Sequence, residues 1–344
     1  MGIGSLRYKQ ACWFLTGVWL LCVAVIPLKA APGFSFLIAS DLGPNGLRSH
    51  RATLSAMART AEQIAPAFFI QLGDFFHQDG VSSVSDPRWQ SLFEDRMREP
   101  SLQRTWYGIL GNHEYRGNAS SVLEYSAQSP YWKIPSQYYT FVVQVNDSVS
   151  VRFVFFDTTP LLSTYNGNAR KYPEATRQDV SRQLAWADSV LSSRTTTLTL
   201  AFGHHPLLDA GNFKNFVPWS TLPGSPLGLM EQLHALIVRH RVDFYFSGHR
   251  HNVQHLTDGK SQVQYLILPS GSQPRAFPAE SGKHGPLKEV PADSGDTNSP
   301  SLIFARKARG FAVATIENSA FKVAVFDPQM RLIYSITKDF SKKL

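Results

Sequence analysis

The run Ala67–Gln71, A-F-F-I-Q, leads into L-G-D-F-F-H-Q-D at Leu72–Asp79, and that junction limits the possible folds more than any other stretch. A short apolar run closed by a glycine reads as a buried strand. A Gly-Asp pair straight after it sets a carboxylate on the loop at the strand's C-terminal end, where open α/β sheets collect ligands. Asp74 is therefore a candidate metal ligand, although an Asp in that place also serves as a turn former or helix cap. The pattern recurs. Phe34–Ser40 ends in D-L-G at Asp41, Thr105–Leu110 in G-N-H-E at Asn112, Thr196–Phe202 in G-H-H-P at His204, and Val242–Phe246 in G-H-R-H at His249.

Strand ends fix loop residues in space, so such loops can converge without being near in sequence. Two carboxylates, one amide oxygen and three or more imidazoles form a hard-to-borderline donor set suited to iron, zinc or manganese, with no thiolate required. Singly, each motif has a plain reading. A Gly-His pair makes a turn with a hydrogen-bonded histidine, and Asn112 after Gly111 suits a left-handed turn position. Jointly, five polar loops of this composition are hard to explain as turns.

Helical spacing of apolar residues predicts helices at Ser49–Ala65 (Leu54, Met57, Ala58, Ala61, Ala65), Pro87–Met97 (Trp89, Leu92, Phe93), Glu174–Leu191 (Val180, Leu184, Ala187, Leu191) and Leu227–Arg239. Tyr138–Val145 and Val149–Phe156 read as a hairpin across Asn146-Asp147-Ser148. The last third turns to strands at Val263–Leu268, Phe311–Ile316, Phe321–Phe326 and Leu332–Ile336. Gly211–Pro226 and Gln273–Pro300 read as loops that shape access to the site. Alternating β and α followed by a β meander predicts an α/β fold, a two-sheet sandwich flanked by helices, with residues 31–344 as a single domain.

The apolar stretch Ala11–Leu28, preceded by Arg7 and Lys9 and followed by Lys29-Ala30-Ala31, has the layout of a secretory signal peptide over residues 1–30. It is long enough to serve instead as an uncleaved signal anchor, the one route to the membrane that the sequence offers. Both cysteines, Cys12 and Cys22, lie in this leader, so a processed chain has neither disulfides nor thiolate ligands. A net charge of +8 is partly the leader's, and the remaining basic residues form no stripe. That argues against nucleic acid and for a solvated surface compatible with phosphate-bearing substrates. Asn118-Ala119-Ser120 and Asn146-Asp147-Ser148 are glycosylation sequons.

In order and spacing the five motifs resemble those of the calcineurin-like metallophosphoesterases, in particular the small tartrate-resistant type of purple acid phosphatase. The resemblance extends to the G-N-A-S sequon at Asn118 and the R-G-F-A-V strand at Arg309–Val313. It implies a metallophosphoesterase sandwich holding two metal ions, iron with zinc, manganese or a second iron. One ion would be held by Asp41, Asp74 and His251, the other by Asp74, Asn112, His204 and His249, with Asp74 bridging. Two cations roughly 3.5–4 Å apart activate a water for attack on phosphorus and clamp the phosphate oxygens. His113, with Asn112, would bind the phosphate or protonate the leaving oxygen. Glu114 is a candidate for orienting a ligand, whereas His205 would point elsewhere and His255 is structural.

At His77 the sequence departs from the pattern. The family's purple members have there a tyrosine whose phenolate binds ferric iron and gives the colour. Imidazole stabilises the ferric state less, which predicts a non-purple centre, with His77 either a ligand or a hydrogen-bonding neighbour of one. The implied activity is a monomeric phosphoric monoester hydrolase in the secretory pathway acting on a small phosphorylated substrate. The alternatives are a phosphodiesterase or nucleotide hydrolase of the same fold, or a catalytically silent membrane-associated scaffold. No G-x-S-x-G elbow or H-E-x-x-H pair supports a serine hydrolase or zincin.

Overall fold

Strands whose residues are buried on both faces read as continuous apolar runs, and two sets of them organise this protein. A computed structural model describes residues 25–27, 33–43, 47–210, 228–276 and 301–343. One sheet has seven strands, in the order β15 (Leu332–Asp339), β14 (Ala320–Phe326), β13 (Phe311–Glu317), β2 (Phe34–Ala39), β3 (Phe69–Gln71), β4 (Trp106–Gly108) and β5 (Trp132–Lys133). The other has eight, in the order β1 (Val25–Pro27), β6 (Tyr139–Gln144), β7 (Ser150–Phe156), β8 (Leu198–Gly203), β9 (Phe244–Ser247), β11 (Gln264–Ile267), β10 (Val253–Thr257) and β12 (Ser301–Arg306).

The period-two alternation assigns each side chain of the second sheet to a layer. Phe153 and Phe155 of β7, Leu200 and Phe202 of β8, and Phe244 and Phe246 of β9 face the first sheet. There Phe153 meets Phe36 with ring centroids 5.2 Å apart, and Phe244 meets Phe321 at 4.9 Å. The intervening residues Val154, Phe156, Ala201, Tyr245, Tyr265 and Ile267 face outward, under Ala187, Val190 and Leu191 of α4 (Val180–Ser192) and Met230, Leu233 and Ile237 of α5 (Leu229–Arg239). On the first sheet α1 (Leu47–Ile64) buries Leu54, Met57, Ala58 and Ala61. This is the helix-flanked two-sheet sandwich that the alternation predicts.

Within each sheet four neighbouring strands run parallel, β2-β3-β4-β5 in one and β7-β8-β9-β11 in the other. Because the strands of each run are parallel, their C-terminal ends all lie at one edge. The two edges meet, and the five loops leave from them.

Several boundaries differ from expectation. The helix expected over Pro87–Met97 is a π-turn, Trp89–Phe93, running into a 3₁₀ turn, Glu94–Arg96. The expected Glu174–Leu191 helix breaks at extended Gln178 into a 3₁₀ turn, Ala175–Arg177, and α4, capped by Asp179 accepting from Arg182 N. Ala65 lies beyond α1 at φ 44°, and its side chain is exposed. Strands β1, β5, β10 and β12 were not anticipated, and β1 lies within the stretch read as a leader. Asn118 caps a short helix, α2 (Ala119–Glu124), and Asn146 accepts from Ser148 N and Val149 N in the hairpin turn. The leader, apart from Val25–Pro27, lies outside the described residues, as do residues 211–226 and 277–300 of the two expected loops and residue 227 of the helix expected after the first. Among the described residues no helix is long and apolar enough to cross a membrane.

Candidate metal centre

The site is built from strand ends under strain. Asp41 follows β2, Asp74 follows β3, and Asn112 and His113 follow β4, while His204 follows β8 and His249 and His251 follow β9. Asp41, Asp74, His249 and His251 have φ of 48°, 53°, 66° and 58°. A non-glycine residue in the left-handed region costs roughly 1–2 kcal/mol, and such strain collects where function over-determines the backbone. Here it turns each side chain back into the seam between the sheets.

The side chains of these loops converge. His204 Nδ1 lies 2.7 Å from Leu72 O and donates to it, which turns Nε2 into the site. That Nε2 faces Asp74 Oδ2 at 3.2 Å and Asn112 Oδ1 at 3.3 Å. His251 is arranged the same way. Its Nδ1 donates to Gln273 O at 2.7 Å, and its Nε2 stands 3.1 Å from Asp41 Oδ1 without the alignment of a hydrogen bond. Asp41 Oδ2 accepts from Ser40 Oγ at 2.6 Å and from His249 N at 2.9 Å. His113 donates from Nδ1 to Gln78 O at 2.7 Å and holds Nε2 3.8 Å from Asp74 Oδ2. His77 is buried, with Nε2 4.0 Å from Asp74 Oδ2, and among the described residues neither of its nitrogens has a hydrogen-bond partner.

Donor atoms group within 4.8 Å of one another as Asp41-His77-His251, Asp74-His77-His113, Asp41-Asp74-His204 and His204-His205-His249. Lone pairs of carboxylate, amide and imidazole thus converge with too few protons among them. A pair of cations fits this arrangement, since orphaned buried polar atoms are costly and imidazoles held by backbone carbonyls are the usual form of metal-ligating histidine.

The charges are tuned to match. Burial pushes Asp41 and Asp74 up, but the imidazoles outweigh it and hold both carboxyls well below their usual range. Burial likewise pushes His204 down, yet the charge and hydrogen bond of Asp74 raise it to about 10, so a proton takes the place that a cation would fill. Where no such partner compensates, burial wins. His77 falls to about 4 and His249 to about 3, and His113 is lowered despite Asp74. Both His77 and His249 are therefore neutral imidazoles at ordinary pH, the form that ligates.

Glu114, buried, accepts from Asp74 N at 2.8 Å, Gly111 N at 2.8 Å and Phe76 N at 3.1 Å. It ties the Asp74 loop to the Asn112 loop, the orienting role its place in the motif suggested. Burial and the neighbouring Asp74 charge push its carboxyl up to about 7. His255 is structural as expected, bonded to Tyr334 Oη at 2.5 Å and Gln264 Oε1 at 2.8 Å. His205 corrects the expectation. It does not point elsewhere but packs beside His249 and His204, with ring centroids 4.4 and 4.8 Å away.

Comparison with known proteins agrees with this geometry. The family model for calcineurin-like phosphoesterases matches residues 34–253. Tartrate-resistant acid phosphatase type 5 of Oryctolagus cuniculus is 32% identical over 71% of this chain and 74% of its own length. Purple acid phosphatase 17 of Arabidopsis thaliana is 28% identical over 88% and 83%. Among solved structures GAP50, the anchor in the inner membrane complex of Plasmodium, superposes with a TM-score of 0.70 at 18% identity, over 90% of this chain and 89% of that one, and so shares the fold. With the five motif loops and their donors spread across the matched region, the chain belongs to the calcineurin-like phosphoesterase family and is an enzyme of the acid phosphatase kind.

Proposed function

We propose that the protein is a dinuclear acid phosphatase acting on small phosphoric monoesters in the secretory or extracellular space, as a monomer. The observation that carries this reading is the position of Asp74, whose Oδ2 faces His204, His113 and His77 at 3.2, 3.8 and 4.0 Å. Asp41, Asp74, His77 and His251 would hold one ion, and Asp74, Asn112, His204 and His249 the other. Iron with zinc, manganese or a second iron suits these donors. Bound there, the ions would supply Lewis acidity toward the phosphate oxygens and an activated water for in-line attack.

The chain's own residues do the rest. Asp74 spans the two groups and offsets part of their charge. Asn112 Oδ1 lies 3.3 Å from His204 Nε2 and His113 Nε2 3.8 Å from Asp74 Oδ2, and His113, once protonated, can give its Nε2 proton to the leaving oxygen while Gln78 O holds Nδ1. The leader, read as a secretory signal, supports the location.

Turnover of p-nitrophenyl phosphate against bis(p-nitrophenyl) phosphate tests the reading, and diester hydrolysis with negligible monoester turnover would overturn it. A membrane-associated scaffold is the second reading, favoured by the likeness to GAP50 and by the apolar stretch Ala11–Leu28. It predicts neither metal uptake nor turnover of either ester.

A further inference from the structure

His205 carries a buried hydrogen-bond donor with nothing to donate to. The side chain is fully buried, and its Nε2 has no partner among the described residues. Its tautomer follows from Thr158, which is also fully buried. The Thr158 hydroxyl oxygen accepts from His205 N at 3.0 Å and lies 3.0 Å from His205 Nδ1. Among the described residues nothing else bonds to that hydroxyl, so its proton goes to Nδ1, which must then be the accepting nitrogen. The proton of the neutral ring therefore sits on Nε2. Tyr165 covers the ring at a centroid distance of 5.1 Å, and one ring nitrogen of His205 lies within 4.8 Å of donor atoms of His204 and His249.

A ligating nitrogen must present a lone pair, and Nε2 does not. A buried N–H without an acceptor is costly to keep unless an acceptor arrives. We propose, on the footing of the phosphatase reading above, that His205 is a substrate-binding residue that donates Nε2–H to a phosphoryl oxygen of a phosphate group bound against His204 and His249. Thr158 is then a positioning residue that fixes the tautomer.

The test uses inorganic phosphate and the full chain loaded with zinc. In His205→Phe, phosphate affinity falls roughly ten-fold, the loss expected for one hydrogen bond to a charged group, with zinc per chain unchanged. In wild-type protein carrying ¹⁵N-histidine, His205 shows an Nε2–H resonance that shifts on adding phosphate. This second measurement needs no variant and decides the matter if His205→Phe does not fold. Unchanged affinity in the variant, loss of zinc from it, an Nδ1–H tautomer, or an Nε2–H signal indifferent to phosphate each overturns the proposal alone. Failure of the zinc-loaded wild type to bind phosphate at all would overturn the phosphatase reading as well.

Discussion

The His77 ring lies parallel to that of His251, with planes 3° apart and centroids separated by 5.4 Å. One donor atom from each of the two imidazoles and one from Asp41 lie within 4.8 Å of one another. If His77 ligates, His77→Ala weakens binding at that position by no less than the roughly 10–100-fold that loss of a ligand's hydrogen-bond partner costs. Wild-type protein should lack the strong visible band of a purple centre, whereas His77→Tyr loaded with iron should acquire one from phenolate bound to ferric iron. Elemental analysis with a visible spectrum checks both, and a strong visible band in the as-isolated wild type would refute the assignment.

Glu114 links two loops through three amide donors, and no substitute satisfies all three. In Glu114→Gln the amide NH₂ must face one of the backbone N–H groups, at a cost of about 1–3 kcal/mol. In Glu114→Ala all three donors lose their acceptor and the loss is larger. Because the donors belong to Asp74, Phe76 and Gly111, metal affinity falls along with thermal stability. Calorimetric unfolding of metal-free protein and metal titration separate the two effects. Lowered stability with unchanged metal affinity would reduce Glu114 to a structural role.

Much of this centre was legible because its chemistry sits at strand ends, where an apolar run followed by Gly-Asp, Gly-Asn or Gly-His is a strong local signal. The fold followed from the same runs. What escaped has physical reasons. Strand β10 contains Gln254 and His255, which are buried but satisfied by Asn252, Asp209, Tyr334 and Gln264, so its sequence lacks an apolar pattern. Strand β12 pairs at a sheet edge, is only partly buried, and directly follows a polar segment. His205 was misjudged because adjacency to a ligand in an extended strand sends a side chain to the other face. Here the chain has already left β8, and Thr158 draws the ring back.

Asp157 makes stability fall as pH rises. It is buried, its Oδ2 accepts from Tyr115 Oη, and burial pushes its carboxyl from 3.8 up to about 7. Between those values the folded chain keeps a proton that the unfolded chain has released, so this group's contribution to stability is lost as pH climbs through the window. The slope for one such group approaches about 1.4 kcal/mol per pH unit. Asp157→Asn removes it. Urea unfolding of both proteins from pH 4 to 8 should show a flatter profile for the variant, and parallel profiles would show that Asp157 does not titrate in this range.

Gly111 tests how closely the bridging carboxylate is held. A Cβ at this position would lie 2.2 Å from Asp74 Oδ1 and 2.6 Å from Asp74 N, distances that no real methyl group tolerates. One of the two loops must therefore move in Gly111→Ala, and the Glu114 carboxylate that accepts from both Gly111 N and Asp74 N resists their separation. The side chain of Asp74, held through Oδ1 by His113 N, must turn with the loop that moves. Turning it withdraws the oxygen that faces His204, and a misplacement of about 1 Å near reacting groups costs on the order of 10²-fold in rate. Because the hydrophobic layers are untouched, far-UV circular dichroism of Gly111→Ala should match wild type while kcat/KM for p-nitrophenyl phosphate falls at least ~100-fold and metal per chain drops. Full activity in this variant would mean that Asp74 does not bridge the two groups of donors.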